Sequence, residues 1–281
     1  IEKGEEYLKG KVKQGFSLIA FPEGTRSSSN KIKRFHKGAF YLAELFHLDI
    51  LPVLIHGNSE VLPKGSFIIR DGSITIELLP RIKADIRQRS KNIGAYFKNE
   101  FANFRAQQEP FDYWHRTILE NFRYKGDEVY KAVKNELATN TNTYGTLVAS
   151  VGKKEHLIHL SKRNGPLDLL LALDAIDRKI WVYLEHETAR KILAHNFLTQ
   201  QYSKITVVDS LPEALHHSAS LLIIDLDHFE PTAMERERIL SIDRLIVLDP
   251  MGKPWVSELL QLGFVTTEQN DTFIILKKIP Q

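Results

Sequence analysis

Apolar residues recur along this chain in two rhythms, and the change between them falls near residue 111. Helical spacing runs through residues 5–12, and Gly15 breaks it before the apolar run 16–21, which predicts a strand. Residues 37–46 return to helical spacing, and 50–55 form a continuous apolar run of the kind buried in a parallel sheet. Strand, helix and strand in that order predict a right-handed crossover within one sheet. Residues 67–70 and 73–78 flank Asp71-Gly72, a two-residue signal for a tight hairpin. Residues 85–108 are polar with helical spacing, Phe97, Phe101 and Phe104 share one side, and Pro110 ends the run.

Beyond residue 111 the pattern is different. A helical stretch over 114–137 leads through Thr/Asn-rich turns into strands at 155–160, 180–185, 205–208, 221–226 and 245–248, separated by helical segments. Two more strands, 264–267 and 273–276, are joined through Gln269-Asn270-Asp271. This alternation predicts an α/β fold with mostly parallel pairing. The order is similar to the Rossmann-like, seven-stranded class I methyltransferase fold. The expected domains are therefore 1–85, a helical linker at 86–110, and an α/β domain at 111–281.

Composition narrows the function classes. Hydrophobic content of 43% and charged content of 26% are those of a globular chain. No run approaches the ~18 apolar residues of a membrane span, and residues 1–13 lack the apolar core of a signal peptide, so the expectation is a chain that neither crosses a membrane nor directs its own secretion. With no cysteine, disulfides, thiolate zinc sites and a cysteine nucleophile are excluded. Residues 1–110 hold 18 Lys/Arg against 12 Asp/Glu, leaving 20 against 23 for the rest. A basic first part suits anionic head groups or a phosphate-bearing substrate. Nucleic acid is not expected, because the cations are not interleaved with aromatics.

The densest chemistry lies at Phe21-Pro22-Glu23-Gly24-Thr25-Arg26-Ser27, where a carboxylate, a hydroxyl and a guanidinium follow an apolar run. An Arg there can grip a phosphate or carboxylate through two parallel hydrogen bonds. Phe35-His36-Lys37-Gly38-Ala39 and Leu51-Pro52-Val53 follow. In order and spacing these resemble the lysophosphatidate and glycerol-3-phosphate acyltransferase family, and residues 1 to about 85 look like the second half of its acyltransferase domain. The resemblance implies that Arg26 binds the acceptor phosphate, that Glu23 and Thr25 shape the glycerol pocket, and that Gly24 allows close backbone approach. A Glu23–Arg26 ion pair stabilising a turn is the bland alternative. Lys37 is a second contact to phosphate or thioester donor, or a solvated helix-start lysine, and Pro52 forms a wall of the acyl channel. The loop 27–30 is where an acceptor would enter. The family usually carries Lys or Arg where His36 stands.

That family's chemistry uses a His oriented by an Asp five positions later as general base. None of the 11 His residues here has one: the residue five positions after His47 is Pro52, after His56 Val61, after His115 Glu120 and after His156 Ser161. Together with the opening Ile1, this predicts a C-terminal fragment with no catalytic residue of its own and a catalytic dyad lying upstream. The implied partners are acyl-CoA or acyl carrier protein, a phosphorylated glycerolipid acceptor and a membrane surface. The implied location is cytoplasmic, at the inner face of a membrane through upstream segments.

In the second domain the cofactor signature fails. The turn after its first strand, Ser161-Lys162-Arg163-Asn164-Gly165-Pro166, has one Gly and two cations where a methyltransferase needs a Gly-rich approach to S-adenosylmethionine. Glu185, ending the second strand, is the one cofactor-binding candidate, as a ribose ligand or else a solvent-facing strand end. Asp225-Leu226-Asp227-His228 resembles a metal cluster, but neighbouring strand residues point to opposite faces. No metal and no cofactor are implied. The principal reading is an acyltransferase, inactive as this fragment; a methyltransferase, or a non-catalytic scaffold of a larger lipid-handling membrane protein, are the rivals.

Overall fold

The computed structural model describes every residue except 1, 28–30, 63, 66, 70, 84–89, 176, 202–203 and 279–281. It divides into two compact units, Ile1–Pro110 and Phe111–Gln281.

The first unit contains α1 (Glu2–Lys13), α2 (Gly38–Leu45), β1 (Val53–His56), α3 (Asn58–Val61), β2 (Thr75–Leu78) and α4 (Ser90–Gln108). β1 and β2 pair antiparallel, with Val53 opposite Leu78 and Ile55 opposite Ile76. The alternation of the ribbon sends Leu54 inward to a small core with Leu79 and Phe104, against which Tyr96, Phe97 and Phe101 of α4 pack. Its other face leaves Val53, Ile76 and Leu78 exposed.

Several expectations for this unit are corrected. Residues 16–21 are not a strand: Ile19 and Phe21 are 89% and 74% exposed, and no strand among the described residues pairs with them. The crossover is absent with it. The Asp71-Gly72 hairpin does not form either, because β2 takes β1 as its partner and Phe67, Ile68 and Ile69 are exposed; Arg70 lies outside the described residues. Gly57 supplies the reason. It turns the chain at φ +83°, and a Cβ there would lie 2.1 Å from the Ser73 carbonyl oxygen, so the backbone entering β2 is laid directly along the end of β1.

The second unit opens on three helices, α5 (Phe111–Phe122), α6 (Asp127–Thr139) and α7 (Thr141–Ser150). The long helix expected over 114–137 is thus interrupted, with Gly126 at φ +107° ahead of α6. The Thr/Asn-rich segment read as turns is instead α7, whose Tyr144, Leu147 and Val148 are buried on one side; tertiary burial outweighs weak local propensity.

There follow β3 (Leu157–Ser161), α8 (Pro166–Asp174), β4 (Ile180–Leu184), α9 (Glu187–Ala194), α10 (Phe197–Gln201), β5 (Ile205–Val207), α11 (Leu211–Leu215), β6 (Leu221–Asp225), α12 (Ala233–Leu240), β7 (Arg244–Leu248), α13 (Pro254–Gln261), β8 (Phe264–Gln269) and β9 (Phe273–Lys278). The sheet runs β5-β4-β3-β6-β7-β9-β8, parallel except that β9 is antiparallel to both neighbours. This is the mostly parallel, seven-stranded α/β fold expected from the sequence.

Both faces of the sheet are covered. Leu157, Val182 and Ile223 join a core with α5 to α9, while Ile158, Leu160, Ile224 and Val247 join another with α11 to α13. Continuous apolar strands are what such double burial requires. Arg178 is fully buried, and its guanidinium donates to the carbonyls of Leu171 (2.6 Å), Val151 and Gly152 (both 3.1 Å) and to Asp174 (3.1 Å).

Candidate functional site

In the first unit the chain turns over residues 21–24, where the Gly24 N–H donates to the Phe21 carbonyl at 3.0 Å. Gly24 has φ +68°, and a Cβ there would stand 3.0 Å from the His36 ring, so the turn and the segment before α2 fit together because this position has no side chain. Two hydrogen bonds brace them: the His36 N–H donates to the Pro22 carbonyl at 2.7 Å, and the Lys33 N–H to Glu23 Oε2 at 2.8 Å. Phe35 anchors the brace, buried against Phe40 and edge-on to Phe97 at 5.1 Å.

Glu23 therefore fastens the turn through a backbone amide. Thr25 and Arg26 are exposed beyond it, and Arg26 Nη1 donates to the Leu62 carbonyl at 3.1 Å. Lys37 stands exposed at the start of α2 with helical backbone angles. Pro52 is buried, and its carbonyl accepts from the Leu79 N–H at 3.0 Å. Residues 28–30 of the expected entry loop lie outside the described residues.

A second cluster in this unit has one local sequence signal, the i,i+4 spacing of Arg105 and Glu109. His56 Nε2 donates to Glu109 Oε1 at 2.9 Å, and Arg105 Nε lies 2.7 Å from both Glu109 oxygens. Burial pushes the Glu109 carboxyl up, but the hydrogen bonds from His56 and Arg105 outweigh it and hold the group below the ordinary carboxylate range. Glu60 adds a second carboxylate, so that His56, Glu60 and Glu109 offer ligand atoms within 4.8 Å of one another. A metal there would have to displace Arg105 from Glu109. The three residues are spread over more than 50 positions, and only the pairing of β1 with α4 brings them together.

The comparisons with known proteins bear on this first unit. Residues 2–56 match the Acyltransferase family. The stretch that matches contains the Gly24 turn, Arg26 and the start of α2. The chain is 38% identical over 85 residues to a 1-acyl-sn-glycerol-3-phosphate acyltransferase of Limnanthes alba, and 36% identical over 85 residues to one of Cocos nucifera. These alignments cover 30% of this chain, and the chain spans 30% and 28% of those relatives' lengths. The acyltransferase resemblance of the sequence is thus shown over part of the first unit, residues 2–56.

The second unit carries one group of charged residues at the carboxyl ends of β3, β6 and β7. Arg163 in the loop after β3 donates from Nε to Asp225 and from Nη2 to Asp249, at 2.5 and 2.8 Å, and Lys162 Nζ donates to Asp227 at 2.5 Å. The Asp225–His228 cluster is therefore split between two latches and, among the described residues, forms no metal-ligand group. Glu185 is exposed just past β4, and its N–H donates to the Ser161 carbonyl at 2.9 Å. Beneath the loop, Tyr144 donates to Glu136 Oε1 at 2.7 Å, and burial raises the Glu136 carboxyl to about 7. His159 Nδ1 and Asp168 Oδ1 lie 2.8 Å apart in the core; burial alone would lower the imidazole, but the Asp168 charge and hydrogen bond raise it.

Among solved structures, the chain is similar to a SAM-dependent O-methyltransferase from Thermotoga maritima, at 14% identity and a TM-score of 0.39 over 50% of this chain and 66% of that one. The strand order, rather than this likeness, gives the second unit its fold.

Proposed function

We propose that this chain carries the acceptor-binding part of a glycerophosphate-type acyltransferase. The reaction moves a fatty acyl group from an acyl-CoA or acyl carrier protein thioester to a lysophosphatidate-like hydroxyl. The hydroxyl oxygen bonds to the acyl carbon, the carbon–sulfur bond breaks, and the hydroxyl proton passes through a general base to the departing thiolate. The base, a His with its orienting Asp, belongs to a segment outside this chain. Within the chain, Arg26 binds the acceptor phosphate, Lys37 adds a second cation, and the Gly24 turn with Glu23 and Thr25 sets the direction of approach. The net surplus of cations in residues 1–110 draws the unit to the cytoplasmic face of a membrane.

The observation that carries this reading is an exposed Arg26 at the tip of a turn braced from beneath, inside the stretch that matches the family. A bidentate guanidinium–phosphate contact needs a rigid base and access from solvent, and the phosphate would take over the Nη1 donor that now faces the Leu62 carbonyl. The test is Arg26→Ala in the intact protein. The expected loss is about 2–4 kcal/mol, or roughly 30- to 900-fold in kcat/KM toward a phosphorylated acceptor, with Arg26→Lys intermediate. An unchanged kcat/KM in a folded variant would remove Arg26 from the phosphate site. The second unit serves in this reading as a non-catalytic partner, with the side chains of 161–166 standing in the path a cofactor would take.

A further inference from the structure

In a doubly wound sheet the crevice for ligands lies outside the carboxyl ends of the strands where the winding reverses, here between β3 and β6. In this protein that place is taken by a side chain. Arg163 spans from Asp225, the last residue of β6, to Asp249, just past β7, and its backbone N–H donates to Ser161 Oγ at 3.0 Å. Ser161 Oγ in turn donates to Asp225 Oδ2 at 3.4 Å. The guanidinium thus lies between two carboxylates that approach it from different strands, an arrangement that suits a planar fork of donors and not a point charge.

The site is built for a cation independently of what fills it. Asp225 is fully buried, and its second oxygen, Oδ1, is buried with no hydrogen-bond partner among the described residues. The other cations nearby are already engaged, Lys162 with Asp227 and Lys253 with the Leu248 carbonyl at 2.9 Å. Take Arg163 away, and buried Asp225 keeps only the Ser161 hydroxyl, while half-exposed Asp249 turns to water. A buried carboxylate in that state must take up a proton or recruit another cation.

We propose that the crevice at the carboxyl ends of β3, β6 and β7 is a binding site for a small planar organic cation of the alkylguanidinium or amidinium class, and that Arg163 is its intramolecular occupant. Any external ligand of the second unit at this place has first to displace the chain's own side chain. The device is an autoinhibitory contact written into the β3–α8 loop.

The experiment uses the full chain. Trp114, Trp181 and Trp255 are its three tryptophans and all lie in the second unit, so their fluorescence reads that unit's melting. The parent and Arg163→Ala are melted against rising methylguanidinium chloride, with methylammonium and sodium chlorides as controls. The parent shows no saturable response. Arg163→Ala melts lower and rises by about 3–5 °C at ten times the dissociation constant, with methylguanidinium outperforming methylammonium. The response vanishes in the Arg163→Ala, Asp225→Asn double variant. An equal response in parent and Arg163→Ala, or one that survives Asp225→Asn, overturns the proposal. Should Arg163→Ala fail to fold in buffer, its refolding yield is read instead: recovery in methylguanidinium supports the site, and no recovery at any concentration the parent tolerates overturns it.

Discussion

Replacing Glu136 by Gln should make the second unit more stable at alkaline pH and flatten its pH dependence. Glu136 on α6 is half-buried, its carboxyl held by Tyr144 and the Asn164 N–H, with Arg163 and Asp225 as the charges near it. Burial is the largest influence, and it raises the group from 4.5 to about 7. A folded value above the unfolded one means that the native state holds the proton more tightly. The stability this confers is fully present below about pH 4.5 and is lost as pH rises through 7. At ~1.4 kcal/mol for each tenfold change in proton affinity, the full rise corresponds to about 3 kcal/mol; partial exposure of the residue brings the expectation to about 2 kcal/mol. Gln can still accept from Tyr144 but has no charge to desolvate. Urea titrations followed by tryptophan fluorescence at pH 5, 7 and 8.5 give the comparison. The unfolding free energy of Glu136→Gln relative to the parent should climb by about 2 kcal/mol from the lowest to the highest pH. Parallel pH profiles for the two proteins would show that the buried carboxyl is not what ties this unit's stability to pH.

Three further outcomes follow from the same structure. Gly57→Ala should disrupt the first unit far more than Gly24→Ala, because the new methyl meets the Ser73 carbonyl at 2.1 Å in one case and a movable His36 ring at 3.0 Å in the other; protease resistance of the first unit should be lost in the former and largely kept in the latter. Arg178→Met should cost the second unit about 3–5 kcal/mol in urea unfolding, since it strips Asp174 and three carbonyls of a buried donor, and a loss under 1 kcal/mol would mean that water replaces the guanidinium. Calorimetric titration of the chain with S-adenosylmethionine should give no saturable heat; micromolar binding weakened by Glu185→Ala would make the second unit a working cofactor site.

The central strands of the second unit, β3, β6 and β7, were legible because each is a short apolar run buried on both faces, and burial on both faces leaves its mark in composition alone. Its helices were less so. Thr141-Asn142-Thr143 reads as a turn until Tyr144, Leu147 and Val148 are seen to share one buried side. In the first unit the apolar runs misled, since an apolar run says that a segment wants a partner and not which one. Residues 16–21 have no strand partner among the described residues, and residues 73–78 found β1 instead of the neighbouring 67–70. The motif at 21–27 stood out because its residues are contiguous. Its support did not: the Lys33 amide, the His36 ring and the Leu62 carbonyl lie 10 to 36 positions from the residues they contact. The joining of His56 to the i,i+4 pair Arg105–Glu109 and the Arg163 clamp are products of tertiary pairing, and no spacing in the chain announces those meetings.

The outer face of the β1–β2 ribbon has a practical consequence for anyone handling this polypeptide. Val53, Ile76 and Leu78 stand exposed on one side of a sheet whose two strands, among the described residues, pair only with each other, and Leu51 and Ile74 extend the same greasy strip at 47% and 51% exposure. A strand edge beside β-branched side chains is a template for another strand, and no proline or inward-pointing lysine interrupts β1 or β2 to discourage it. Concentrating the chain will thus favour edge-to-edge stacking of first units well before the second unit, with its sheet faces covered by helices, begins to misbehave. Turbidity and light scattering should follow the ribbon, and a charge at Ile76 is the substitution that keeps the material clear.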